Sequence, residues 1–513
     1  MSNLLKNKKI SILFNILLIV ISLVLVYLFV KYGYKDLDQY FLIATGRKIR
    51  QEGILHINPF SAIPNLKIVV QQWAYCVLLS FMYDKLGDLG LFITVLFFNI
   101  LLILLMYSII SLHSHIRRKT WLILISTIFA LCNVYSNVRP ELLTTSIILL
   151  SIFFMEKYRS TTNKIWLYLM PLLVLIQINF HASYWILTFF VMFVYILPEV
   201  DIRISKNFFI KFKKNNFNKD FIIPIVLMSC MLFVNPYGLD SILYVFRSVG
   251  EIAFVDIVEL RGVQVASVSA VGILSAILFC IYSYYKKIST QQMFVLSLAF
   301  ITLLCSCNKW WEFVPIILCL LFVSLDRVIT KNNMQEIRKI FLCFLMFVFV
   351  EVCFVMCVRK RVEHSIYDSM VKITDFARNE INRDYMLRNN TDVVKEEDIV
   401  VLAPFVISSG LEFYNYKIVI DARPELYLSV INGKEDVLKD WYKLNYGYFK
   451  EPVYYPVDEN LYVELLKKYN VDYVVYSNTI DGQLAVINLA KNIDSLEMVS
   501  YGSNCIIYHF SNE

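Results

Sequence analysis

Charge, glycine and histidine are scarce in this sequence. Of its 513 residues only 18% are Asp, Glu, Lys or Arg, while 58% are apolar, 14 are glycine and 6 are histidine. That balance excludes an ordinary soluble protein. No glycine-rich phosphate loop is present. The 11 cysteines give neither a disulfide framework nor a metal spacing. Nearly all of them sit in apolar runs between Cys76 and Cys357, and only Cys505 lies in the polar C-terminal part. Cys305 and Cys307 form a CxC, but inside an apolar run it reads as packing. No internal repeat and no low-complexity stretch appears. The net charge of +7 is spread over short clusters between apolar runs, so it speaks of orientation in a bilayer rather than of nucleic acid.

Long apolar runs are what the chain has in abundance. Ile10–Val30 follows Lys6, Lys8 and Lys9, is a full bilayer span long, and has no small-residue cleavage site after it, so it reads as an uncleaved signal anchor. Further spans are expected at Leu89–Leu112, Trp121–Asn133, Leu142–Met155, Ile165–Ile178, Ala182–Leu197 and Phe221–Val234. Val265–Tyr285, Met293–Cys307, Trp311–Leu325 and Ile340–Cys357 bring the total to about 11 transmembrane helices. Trp73–Leu86 is too short and interrupted to span and reads as an interfacial helix. With the N-terminus cytoplasmic, the loops on its side hold roughly twice the Lys and Arg of the opposite set. The C-terminal part is then extracytoplasmic. From about Val358 the composition turns polar: a charged helical stretch, Arg359–Asp398, precedes strand-like runs at Ile399–Ala403, Lys417–Ile420, Val471–Tyr476 and Cys505–Phe510. Helical patterns intervene at Lys434–Tyr442 and Glu459–Tyr469, as in a small α/β domain. The expected domains are thus a helical polytopic membrane part, 1–357, with a first outer loop over 31–88, and an extracytoplasmic α/β domain, 358–513.

This topology collects the unusual polar residues on the outer side. They are Asp36 and Asp38; Arg139, Pro140 and Glu141; Asn179 and His181; Asn235 to Gly238; Asp256, Glu259 and Arg261; and Lys309 to Glu312. Charged groups at span ends on one face point to a site at the outer membrane–water boundary. A transport pathway would place its polar groups at mid-membrane on broken helices, where Glu351 and Gln177 are the candidates.

In their order, these motifs resemble a family of bacterial polytopic membrane proteins related to the GT-C glycosyltransferases, over Asp38 to about Tyr476. The motifs run from an aspartate eight residues before Gly46 and Arg47, through Pro59-Phe60-Ser61 and Trp73, Arg139-Pro140, Asn179/His181 and Asn235-Pro236-Tyr237-Gly238, to Asp421/Arg423 in the outer domain. The resemblance implies a GT-C-like fold and a sugar taken from a polyprenyl-phosphate carrier at the outer face. Carried over by position, Asp38 is the first-loop acid, and Lys309 stands where the family often has Arg. Asn58 stands where Asp is usual, which removes a second carboxylate as a metal ligand in that loop, and Leu260 follows Glu259 where Trp is usual.

Transfer from such a donor needs a base at the acceptor hydroxyl, cations or a divalent metal at the leaving phosphate, and a groove for the lipid. The candidates are Asp38 as base with Asp36 second, Arg139, Lys309, His181, Asn179 and Glu259 for substrate and phosphate, and Asp421 and Arg423 in the outer domain. The absence of a second carboxylate as nucleophile fits one-step inversion, which the resemblance also implies. Each residue has a plainer reading. The acids can be the polar start of a loop, Arg139 a helix start that meets head groups, and His181 part of an interfacial belt with Tyr184 and Trp185. Lys309 can snorkel beside the anchors Trp310 and Trp311, and Asp421 with Arg423 can be a structural ion pair. The expected function is therefore transfer of a sugar to a glycan, lipid or protein acceptor. A transporter or flippase of an envelope lipid and a non-catalytic assembly protein are the alternatives.

Overall fold

A computed structural model of the chain describes residues 33–113, 137–196, 219–252, 367–419, 454–478 and 483–511 without a break, with single positions and short pieces between 16 and 31, 200 and 212, and 421 and 450. The spans expected at Trp121–Asn133, Val265–Tyr285, Met293–Cys307, Trp311–Leu325 and Ile340–Cys357 lie outside the described residues, as do Glu259, Lys309 and Glu351.

The loop over 31–88 folds into a helix pair, α1 (Gln39–Glu52) and α2 (Trp73–Leu86), the latter over the segment expected as an interfacial helix. The helices that follow are α3 (Asp88–His113), α4 (Glu141–Thr161), α5 (Met170–Phe180), α6 (Trp185–Ile196), α7 (Ile222–Met231) and α8 (Leu239–Ile252). Pro140 precedes α4 and Pro171 sits in the first turn of α5, where a missing N–H costs no hydrogen bond. Among the described residues, α3 is the one helix long and apolar enough to cross a membrane. Within the helix Thr94 donates to the carbonyl of Gly90 and Asn99 to that of Val95. Leu89, Ile93, Phe97, Ile100 and Leu104 form an exposed apolar stripe along its length, the reverse of what a water-facing helix shows.

In the C-terminal part a helix over 367–389, α9, leads into β1 (Val400–Leu402), α10 (Phe405–Phe413), β2 (Lys417–Ile418), α11 (Val437–Tyr446), α12 (Glu459–Lys468), β3 (Tyr473–Ser477), α13 (Leu484–Ala490), β4 (Leu496–Gly502) and β5 (Cys505–Phe510). Two small antiparallel hairpins also occur, 200–203 with 209–212 and 448–450 with 454–456. The main sheet has the order β2-β1-β3-β5-β4. Its first three strands are parallel, with Val401 opposite Ile418 and Leu402 opposite Val474, and β5 is antiparallel to β3 and β4. The β1 and β3 residues are buried, as expected of strands covered on both faces. Ile373, Ala377 and Ile381 of α9 join Val401, Val475 and Ile507 of the sheet in one apolar core.

The chain forms two compact units. One is residues 1–34, 88–242 and 252–361, and the other is 35–87, 243–251 and 362–513. The first outer loop, which the sequence places in the domain 1–357, thus packs with the C-terminal part. Its contribution is partly a β-contact. Ser61 pairs in parallel with Ile418, the Ala62 N–H donates to the Ile418 carbonyl at 2.8 Å, and the Ile418 N–H donates to the Phe60 carbonyl at 2.8 Å.

Candidate functional site

In the helical unit, three sequence motifs meet at one end. The Val138 N–H donates to the Tyr34 carbonyl at 3.1 Å, which fixes the approach to Arg139 and Pro140 just ahead of α4. One turn into α4, the Thr144 hydroxyl lies 2.8 Å from Nδ1 of His181, the residue that ends α5. Gln177 Nε2 donates to Thr144 Oγ1 at 3.2 Å and to the His181 carbonyl at 2.8 Å. The Thr144 hydroxyl thus accepts from Gln177 and shares a hydrogen bond with Nδ1, whose donor is set by the ring's tautomer. Burial to 8% exposure and the Tyr184 ring at 4.4 Å hold the imidazole further.

Asn179 spends both hydrogens of its amide, on the carbonyls of Leu175 and Val234, each at 2.9 Å. This ties the end of α5 to the end of the α7 segment, where Asn235 donates to the Leu232 and Gly238 carbonyls and accepts from the Tyr237 N–H. The Asn-Pro-Tyr-Gly motif is therefore a turn that Asn235 builds, and Asn179 orients the loop bearing His181. The opposite end of α4 carries Lys157 and Arg159, and beyond it Lys164 pairs with Asp220 at 2.6 Å.

In the other unit, Asp36 and Asp38 sit half-buried in the turn entering α1. The Asp36 carboxylate accepts the Asp38 N–H at 3.2 Å, which makes it part of the turn. Asp38 occupies the N-cap position of α1, yet its side chain makes no cap hydrogen bond. Gln39 and Tyr40 anchor the same turn, each reaching the Tyr367 hydroxyl at 2.7 Å.

Gly46 explains the Gly-Arg motif. A Cβ there would stand 2.0 Å from the Cys76 carbonyl oxygen, so α1 and α2 cross with backbone against backbone. Arg47 and Arg50 both bind Asp84 of α2, at 2.9 and 2.7 Å. Burial opposes the charge of Asp84, but hydrogen bonds from Arg47 and Arg50 outweigh it and hold the carboxyl below its ordinary range. Asn58 is buried and accepts the Phe60 N–H, shaping the segment that pairs with Ile418.

Asp421 and Arg423 form a buried pair, as the structural reading of that motif expects, and a third charged residue joins them. Arg423 Nε binds Asp421 Oδ2 at 2.9 Å, and its Nη2 binds both Asp421 and Glu412 Oε1, the latter at 3.2 Å. Nη1 reaches Thr45 Oγ1 of α1 at 3.4 Å, and the guanidinium lies 4.9 Å from the Phe41 ring centroid. Glu412 is missing from the sequence-derived set; the one available signal is a glutamate within the apolar pattern Phe405–Phe413. Burial first, then the neighbouring Asp421, pushes the Glu412 carboxyl well above its ordinary range against the pull of Arg423. Burial likewise pushes the Cys76 thiol up to about 12.

Because folded Glu412 binds its proton more tightly than the unfolded chain does, its contribution to stability is complete below the ordinary glutamate range and fades as pH rises through its raised value. Glu412→Gln keeps the neutral shape, so its unfolding temperature should vary less between about pH 5 and 9 than that of the wild type. Thermal unfolding in detergent at several pH values reads this, and parallel slopes for the two proteins count against a protonated Glu412.

Among the described residues, no group of three His, Cys, Asp or Glu is placed to hold a metal ion. No family model and no curated protein matches the chain. Solved structures do share its fold. The oligosaccharyltransferase AglB from Archaeoglobus fulgidus, in complex with an inhibitory peptide and a dolichol-phosphate, aligns with a TM-score of 0.55 and 11% identity over 96% of this chain and 74% of that one. ArnT from Cupriavidus metallidurans in the apo state aligns at 0.53 and 11% identity, over 97% of this chain and 98% of that one. ArnT bound to undecaprenyl phosphate aligns at 0.50, with 11% identity and the same coverage. The chain has the GT-C fold of these glycosyltransferases.

Proposed function

We propose that this GT-C chain is a multi-pass membrane glycosyltransferase, N-terminus inside, that moves a sugar from a polyprenyl-phosphate donor to a glycan, lipid or protein acceptor at the outer face of the cytoplasmic membrane. The observation that carries the reading is the gathering of Arg139, Thr144, Asn179 and His181 at one end of the helical unit. The exposed stripe on α3 suits contact with lipid tails. Neighbours of the same fold hold dolichol-phosphate and undecaprenyl phosphate, which supports a polyprenyl-phosphate carrier here.

In this reading Asp38 takes the proton from the acceptor hydroxyl as that oxygen attacks the anomeric carbon and the sugar–phosphate bond breaks. A single displacement inverts the anomeric centre. Arg139 and Lys309 stabilise the charge that grows on the departing phosphate, and His181 adds a hydrogen bond from the nitrogen that Thr144 does not hold. Glu259 contributes to substrate binding, and Asp36 shapes the turn beneath Asp38.

The test is sugar release from a panel of polyprenyl-phosphate sugars by purified protein in lipid. Wild type should consume one donor, and Asp38→Asn, at matched folding, should lose about 100- to 10,000-fold in rate. An inert wild type, or an equally active variant, would remove Asp38 as the base.

A further inference from the structure

Arg423 touches α1 on one face and over two successive turns. Phe41 and Thr45 are four residues apart, so they stand one above the other on the helix. Arg423 meets the ring of the first and the hydroxyl of the second. Its other side is held by Asp421 and Glu412, both fully buried, and Arg423 itself is only 7% exposed. The same cation acts on the thiol of Cys76, the residue whose carbonyl Gly46 meets, so it stands near the crossing of α1 and α2. Nothing in the proposed transfer requires a buried cation there, and a residue so enclosed does not reach a lipid-linked sugar. What it does reach is the helix whose N-cap is Asp38.

We propose that Arg423 is a positioning residue for the transfer: it fixes the rotation and height of α1, and through them the aim of the Asp38 carboxylate, without touching donor or acceptor. The inference rests on the reading of Asp38 as base. The two carboxylates hold the planar guanidinium from one side, which leaves its remaining edge and face for Thr45 and Phe41. A lysine can supply the charge, but not the fork and the flat face together.

The experiment uses the full chain in lipid with whichever polyprenyl-phosphate sugar of the panel wild type consumes, and compares wild type, Arg423→Lys and Thr45→Val. It measures kcat and donor KM per folded molecule, together with peptide-resolved hydrogen exchange of residues 39–52 against residues 459–468 of the same chain. Arg423→Lys should lower kcat by about 100-fold, the scale of an ångström-sized misplacement, while leaving donor KM within about twofold. Thr45→Val, which removes one contact and keeps the ion cluster, should lower kcat by about threefold to tenfold. Exchange should quicken in 39–52 and stay unchanged in 459–468. A rise in donor KM at constant kcat would make Arg423 a binding residue and overturn the proposal. Unchanged exchange in 39–52 would overturn it too, as would a loss of folded protein with unaltered kcat. If wild type consumes no donor, the transferase reading fails by itself. The exchange data then decide alone: quickening in 39–52 keeps Arg423 as the anchor of α1, and its absence rejects it.

Discussion

Gly46→Ala should destabilise the protein by on the order of 3 kcal/mol, at the upper end of what a single inserted methyl costs in a packed interior. By helix propensity alone the change should help, since alanine favours a helix interior over glycine by about 1 kcal/mol. The sign reverses because the new Cβ would lie 2.0 Å from the carbonyl oxygen of Cys76 and 2.7 Å from Ser80 Oγ. A serine side chain can turn away, but a carbonyl inside α2 can move only with its helix. Truncating a neighbour should therefore not rescue the variant. Gly410 provides the internal contrast, for there the nearest atom is Cγ2 of Thr374, at 2.6 Å. Gly410→Ala should recover much of its loss when Thr374 becomes serine, whereas Gly46→Ala combined with Ser80→Ala should stay destabilised. Thermal unfolding of the four variants in one detergent decides the matter, and a stable Gly46→Ala chain would mean that α1 and α2 do not cross at this point.

Asp421→Ala should cost about 3 to 5 kcal/mol, the range found when one partner is removed from a buried ion pair. The alanine leaves Arg423 buried beside Glu412 alone, at 3.2 Å, so the guanidinium loses the carboxylate that binds both its Nε and its Nη2 without gaining water. The loss is set by stranding the charge rather than by the worth of the bond, and the double variant Asp421→Ala with Arg423→Met should be the more stable of the two. Denaturant or thermal unfolding of the single and double variants measures both effects. A loss near 1 kcal/mol for Asp421→Ala would be the behaviour of an exposed pair and would contradict the enclosure of this one.

The local elements were largely legible. The 14 residues of α2 coincide with the segment that the sequence singles out as apolar but too short to span. Cys505–Phe510 is a strand over the expected residues, and α12 starts at Glu459, where the pattern begins and Asp458 caps the helix by accepting the Leu461 N–H. What escaped has physical reasons. Leu496–Gly502 alternates poorly, being largely exposed apart from Leu496, and carries a register shift between Met498 and Ser500, so it offers no clean period of two. Phe405–Phe413 is only nine residues long, and its serines and glutamate hide the apolar face. At the site, the motif residues Arg139, Asn179 and His181 were visible as polar groups at the ends of apolar runs and Gln177 as a polar group within one, but its hold on His181 was not, and Thr144 looks like an ordinary residue of an apolar helix. Glu412 was missed as a partner of Arg423, and the union of residues 35–87 with 362–513 was missed altogether, because pairing over hundreds of residues leaves no periodicity to read.

The contact between Thr45 and Arg423 spans 378 residues of sequence, and that distance is also a delay. On a ribosome adding about 5 to 20 residues per second, the loop over 31–88 waits roughly 20 to 75 s for the segment that completes it. During that time its edge at Ser61 has no strand from Ile418 to pair with, and the face of α1 bearing Phe41 and Thr45 has no cation against it. A message truncated before codon 418 would yield a protein whose edge at Ser61 stays unpaired.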